Sequence, residues 1–423
     1  MGDRTFFSVF KAQNIVFTCV YQNFFVSLQP ILWCEKMETQ AKYLQILRNA
    51  CLSTRCDVCV EPAEVKELLR LCQLHGTGPL VYNELLKTPS CLPAQTAMQM
   101  KQVCMQNMML QGQWEQVISK CFGALAKGEI HAVLMKGFSY AHMYPLPYLR
   151  AWGDLDVWVG PEQYHKACGI LREAFPEAKH HDEEWDELKH YCFVFPSGMA
   201  IELHRVSMDF LSPKDQAYWN SLSPSISLNG KENNDSIEVG GVRVAVFEPK
   251  FDLLFCFMHS WEHFTGTGIP LKQVCDTVLL LQKAKRKVQT GTLEAYLEKH
   301  LKALRMLDVW HAYGYLACRA MGLSLEEWPL GINQKYGERL YAQVMAEGQC
   351  RKKDYGEAEN RYAARENARK MNVLARKWLT LTQRVEKAAF IYRFAPRYAC
   401  YTLWEEIKKG IRRTVSGAEM INY

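Results

Sequence analysis

At 423 residues the chain is long enough for two or three domains and a sizeable core. Its 48% hydrophobic and 23% charged residues are ordinary for a globular protein. The net charge of +6 excludes a uniformly basic surface: residues 351–413 carry 17 Lys and Arg against 7 Asp and Glu, and the rest carries 34 against 38. Sixteen cysteines lack the regular spacing of a disulfide framework. Cys56 and Cys59 form one CxxC with no second pair to complete a zinc site, so free thiols in a reducing, cytoplasmic setting are expected.

Residues 1–36 contain apolar stretches broken by Lys11, Gln13, Asn14, Gln22, Asn23 and Gln29. None reaches the ~20 residues that a membrane-spanning helix needs, and no secretory cleavage pattern follows. Met37 opens METQAKYLQILRNACL, an amphipathic helix. Residues 1–36 therefore read as an N-terminal extension, disordered or upstream of the true start, and no membrane span is expected.

From 37 to 128 the periodicity is helical. VKELLRLCQLHG stops at Gly76, and a long helix over 98–128 ends at Gly128, its methionines reading as core filler. The pattern changes at HAVLM (131–135), a short apolar strand followed by Lys136-Gly137. DLDVWV (154–159) reads as a second strand, and Gly160-Pro161 starts a helix. HYCFVF (190–195) and MAIELHR (199–205) flank Pro196-Ser197-Gly198 as a hairpin, with a further hairpin over 236–247 turning at Gly240-Gly241. From Pro249 the chain is helical to its end. The expected division is 1–36 extension, 37–128 N-terminal helical region, 129–248 α/β domain and 249–423 C-terminal helical domain.

The candidate chemistry lies in the strands. Asp154 and Asp156 are one residue apart, so their side chains share a face while Leu155 and Val157 point to the core. Two carboxylates so placed can converge on a pair of ions ~3.5–4 Å apart. Glu202, flanked by apolar neighbours in a buried strand, is costly there unless paired or bound to metal. His204 falls on the same face. Lys136 and Gly137 end the first strand, where a glycine lets backbone N–H groups approach a phosphate and a lysine can meet its charge. Ser139 adds a hydroxyl. Structural readings compete: a solvated DxD turn, or Glu202 as a core partner of Arg150.

In this order the elements resemble the polymerase-β-like nucleotidyltransferase fold. More closely, LMKGFSYAHMYPLPYLRAWGDLDVWV is similar to a bacterial family of uncharacterised nucleotidyltransferases, with matches at Lys136, Gly137, Tyr144, Pro145, Arg150, Asp154, Asp156 and Val159. Downstream, IELHR matches the family's E-L-H strand. FMHSWEHF with LKQVCDTVLLL matches its helical segments at His259, His263, Lys272 and Asp276. The chain departs from the broader superfamily in having Lys-Gly for Gly-Ser, a longer gap to the first aspartate, and glutamate as third acid.

The resemblance implies an α+β fold: a small mixed-sheet nucleotidyltransferase domain flanked by N-terminal and C-terminal helical regions. It implies transfer of an NMP from an NTP to a hydroxyl of an unknown acceptor, whether sugar, small molecule, protein or RNA. Asp154, Asp156 and Glu202 would hold two Mg²⁺ ions, and Lys136, Gly137, Ser139 and Arg150 the nucleotide. His204, His259, His263 and Asp276 would stand behind these or on the acceptor side. Two alternatives remain: a non-catalytic nucleotide-binding or scaffold protein on the same fold, and a zinc protease using the H-x-x-E-H of His259–His263 with Glu326 or Glu327. Arg361, Arg365 and Arg369 form a helical stripe suited to a solvated face or to a polyanion.

Overall fold

A computed structural model describes residues 37–54, 58–87, 92–180, 190–223, 234–349 and 373–415. The extension 1–36, Cys56 and the stripe of Arg361, Arg365 and Arg369 lie outside these residues. Helix α1 spans 37–52. It is followed by α2 (Val65–His75), α3 (Gly78–Leu85) and α4 (Ala94–Lys127). Gly76 ends α2 with φ +63, a left-handed position that favours glycine.

The strands β1 (Val133–Met135), β2 (Leu155–Trp158), β3 (Lys179–His180), β4 (His190–Val194), β5 (Ala200–His204), β6 (Asn234–Val239) and β7 (Val242–Phe247) form one mixed sheet in the order β3-β4-β5-β2-β1-β7-β6. A short helical turn, α5 (Phe138–Ala141), follows β1, and α6 (Gly160–Ala174) follows β2. The 236–247 hairpin, which the sequence leaves separate, joins this sheet: Leu134 of β1 pairs in parallel with Val246 of β7. Strand β3 was not anticipated, because its two exposed residues carry no alternation. After the sheet come α7 (Pro213–Leu222, inserted before β6), α8 (Pro249–Gly266), α9 (Leu271–Lys287), α10 (Thr290–Ala303), α11 (Leu307–Met321) and α12 (Gln334–Glu347). Two further helices span Val373–Tyr392 and Pro396–Val415.

Strand alternation sorts the sheet into two faces. Leu134, Leu155, Val157, Tyr191, Phe193, Ile201 and Leu203 pack with α6 and the C-terminal half of α4. Val133, Met135, Trp158 and Phe247 face the other way, into a larger cluster built from helices of both flanking regions. The helices before and after the sheet thus share one core.

Helix α4 corrects the reading of its methionines. Met100 is buried, but Met98, Met105, Met108 and Met109 are exposed. The helix bridges the two clusters, so its middle has no core to face. Among the described residues, no helix is long and apolar enough to cross a membrane.

Candidate active site

The parallel pairing of β2 with β5 sets Asp156 directly opposite Glu202. Asp154, one residue before β2, shares the Asp156 side by the two-residue period. Next to Glu202 on its other flank is Cys192, and His190 stands opposite His204. One sheet face therefore carries Asp156, Glu202, His204, His190 and Cys192, while the intervening residues fill the opposite core.

Asp156 is only 4% exposed. Its Oδ1 lies 3.0 Å from Lys136 Nζ and 3.0 Å from His204 Nε2. Burial opposes its charge, but Lys136 and His204 outweigh this and hold its carboxyl well below the usual carboxylate range. His204 also reaches Glu202 Oε2 at 3.3 Å, and this hydrogen bond lowers Glu202 against its own burial. Burial opposes charge on His204, yet its bonds to Asp156 and Glu202 raise its pKa. Asp154, exposed at the strand end, goes the other way: desolvation of its carboxyl, with Glu202 and Asp156 nearby, pushes it up.

Lys136 occupies a left-handed turn, with φ +36, followed by Gly137 at φ +50 and ψ −107. Only glycine adopts the second conformation without strain, and a Cβ there would meet the Asp154 carbonyl oxygen at 3.5 Å. Ser139 donates both its N–H and its hydroxyl to the Lys136 carbonyl, at 3.0 and 2.9 Å. Its hydroxyl thus closes the turn. The turn aims Lys136 across to β2.

Beyond Lys136 lie the two histidines of α8. His259 Nε2 is 3.5 Å from Lys136 Nζ and 3.0 Å from His263 Nε2. Burial, with Lys136 beside it, lowers His259 to about 3, which keeps it neutral. His259 Nδ1 is 3.7 Å from Glu262. Glu327, one of the acids considered as a third zinc ligand, instead caps its own helical turn through the Ser324 N–H.

Arg150 takes Asp276 as its partner rather than Glu202. Its Nε lies 3.1 Å from Oδ1 and its Nη2 2.5 Å from Oδ2, a bidentate pair in which both residues are buried. Tyr144 donates to Asp276 Oδ1, the oxygen that Arg150 Nε reaches, at 2.8 Å. The long segment between Gly137 and Asp154 is thus pinned to α9, which fixes where β2 begins.

The sequence reading missed His190 and Cys192. His190 Nε2 is 3.8 Å from Glu202 Oε1, and His190, Glu202 and His204 each bring a ligand atom within 4.8 Å of the others, a spacing that can hold a metal ion. Burial and the charges of Glu202, Asp154 and Asp156 push the Cys192 thiol up to about 11. The alternation of β4 was the available signal, since it puts His190 and Cys192 on the face opposite Tyr191 and Phe193.

Adjacent strands of the mixed sheet thus present three carboxylates beside a lysine-bearing turn. The chain belongs to a family described as uncharacterised nucleotidyltransferase, whose pattern matches residues 61–318. Among solved structures, it is similar to an antigenic nucleotidyltransferase-like protein from Paracoccidioides brasiliensis. That likeness has 16% identity and a TM-score of 0.30, over 45% of this chain and 92% of the other. No curated protein matches.

Proposed function

We propose that the protein transfers a nucleoside monophosphate from an NTP to an acceptor hydroxyl, with Asp154, Asp156 and Glu202 holding two Mg²⁺ ions. The observation that carries this reading is the β2–β5 register, which sets Asp156 against Glu202 with Asp154 two residues away. Burial first, and then the charges of Glu202 and Asp156, raise the Asp154 carboxyl, and a divalent cation would offset both. Their donors are all oxygen, the set that suits Mg²⁺. When bound, the metal supplies charge neutralisation at the triphosphate and acidifies the acceptor hydroxyl.

In the transfer, the acceptor oxygen forms a bond to the α-phosphorus, the bond from that phosphorus to the bridging oxygen breaks, and pyrophosphate leaves. Glu202 takes the acceptor proton, and His204 orients it. Lys136 opposes the triphosphate charge from its left-handed turn, while Gly137 keeps side-chain bulk away from the backbone there. Ser139 holds that turn closed. Arg150 acts from behind, through Asp276, by fixing the segment that leads into Asp154. His259 and His263 stand behind Lys136, with His259 3.5 Å from its ammonium, and orient it. The irregular cysteine spacing, without a disulfide framework, favours a reducing, cytoplasmic setting.

One observation favours a second reading, a non-catalytic nucleotide-binding protein on the same fold. Lys136 and His204 already neutralise Asp156, as they would in a site that has given up its metal. Incubation with α-labelled NTPs, Mg²⁺ and cell lysate separates the two. Label transfer that disappears in Asp154→Asn supports the enzyme; NTP binding with no transfer under any condition supports the second reading.

A further inference from the structure

A cavity opens beside the segment that leads into Asp154. It lies between α2, α3, α9 and the segment Ala151–Gly153, with a volume of about 810 Å³. That is within the ~300–1,000 Å³ of small-molecule sites. Its wall at Gly153 is the residue immediately before Asp154.

The charge of this cavity is one-sided. Lys66, Arg70 and Lys272 line it, and no Asp or Glu does among the described residues. Arg70 is committed to Glu67 at 2.7 Å through both its Nε and its Nη2. Lys66 and Lys272 have no ion-pair partner among the described residues. Asp276, the nearest candidate for Lys272, is already taken by Arg150 and Tyr144.

Lys272 is also the second residue of α9, at the positive end of that helix, whose first turn contains no acid. The first turn of α3, which meets the cavity at Gly78 and Pro79, contains none either. A partly buried ammonium and a helix N-terminus repel one another there. Desolvation, with Arg150 nearby, lowers the Lys272 amine to about 8. A bound anion reverses each of these unfavourable terms.

We infer that this cavity binds the phosphate group of a small molecule, and that this molecule is the acceptor. Phosphate fits better than carboxylate because the two cations unpaired among the described residues are lysines, which act as point charges suited to a dianion, whereas arginine suits the planar carboxylate fork. Its role as acceptor, but not its binding, rests on the nucleotidyltransfer reading above. That reading places the triphosphate at Lys136 and leaves the Gly153 side of Asp154 for the second substrate.

The test is titration of inorganic phosphate into the full-length protein without metal, followed by calorimetry. Saturable binding is expected, at least tenfold weaker in Lys272→Met and at least threefold weaker in Lys66→Met. Lys66 is exposed, so its variant keeps the test alive if Lys272→Met fails to fold. Asp154→Asn is expected to bind phosphate as the wild type does, which scores the cavity separately from transfer. Absence of saturable binding, or equal affinity in the Lys66 variant and in a folded Lys272 variant, overturns the site. Repeating the titration with saturating NTP and Mg²⁺ tests the acceptor assignment. Unchanged phosphate affinity supports it; loss of phosphate binding means that the cavity belongs to the triphosphate and overturns it.

Discussion

Lys136 Nζ and Asp156 Oδ1, 3.0 Å apart, tie the left-handed turn after β1 to the interior of β2. This ion pair does the work in the free protein that a divalent ion does in the proposed complex: it neutralises the most buried of the three carboxylates. Removing the lysine should therefore cost stability in a metal-dependent way. Lys136→Met is expected to lose about 1–3 kcal/mol of unfolding free energy without Mg²⁺. Urea denaturation in saturating Mg²⁺ should shrink that loss. An identical loss in both conditions would contradict metal binding at Asp156.

The Arg150–Asp276 pair is fully buried, and Tyr144 leans on it. Truncating one partner leaves an unpaired buried charge, so Arg150→Ala should destabilise by about 3–5 kcal/mol. The double variant Arg150→Met, Asp276→Leu should recover much of that loss, since no charge is then stranded. Thermal melts of the three proteins check this. A double variant as unstable as Arg150→Ala alone would show that packing of the arginine, not its charge, holds the segment.

Gly137 combines a positive φ with a ψ that L side chains rarely adopt. Gly137→Ala should cost about 1–3 kcal/mol and shift Lys136 away from Asp156. Weaker NTP binding in a still-folded protein is the expected readout by titration. Unchanged affinity would separate this turn from the nucleotide.

Asp252, in the first turn of α8, is buried and accepts a hydrogen bond from the Tyr140 hydroxyl at 2.8 Å. Burial raises its pKa to about 7, against ~3.9 in the unfolded chain. Between those values the native protein binds a proton that the unfolded chain has released. The stabilisation is complete below about pH 4 and is lost as pH rises through about 7. Asp252→Asn keeps an acceptor for Tyr140 but does not titrate. Its unfolding free energy relative to wild type should rise by about 2–4 kcal/mol between pH 4 and pH 8. A flat difference across that range would place the Asp252 carboxyl in the ordinary range.

What could be read in advance follows from how local each signal is. The alternation in DLDVWV and MAIELHR marks β2 and β5, and the Gly-Pro at 160–161 marks the start of α6. Each depends only on neighbouring residues. The adjacency of Asp156 and Glu202 depends on a parallel pairing with α6, β3 and β4 in between, which strand patterns alone do not specify. Arg150 and Asp276 are 126 residues apart, and nothing near either names the other. His190 lay hidden because a histidine on a hairpin strand is unremarkable until His204 is known to stand opposite it. The α4 methionines misled because helical apolar periodicity reports amphipathicity, not whether a partner surface is present.

The claim that Asp154, Asp156 and Glu202 form a transfer site is tested most directly at Asp154. This carboxylate is exposed and takes no ion pair among the described residues, so replacing it perturbs the fold least. The measurement is label transfer from an α-labelled NTP, with release of pyrophosphate, by the wild type and by Asp154→Asn in Mg²⁺. The expected result is transfer by the wild type and a loss of at least about a hundredfold in a variant that melts normally. Transfer at an unchanged rate in Asp154→Asn would contradict the site.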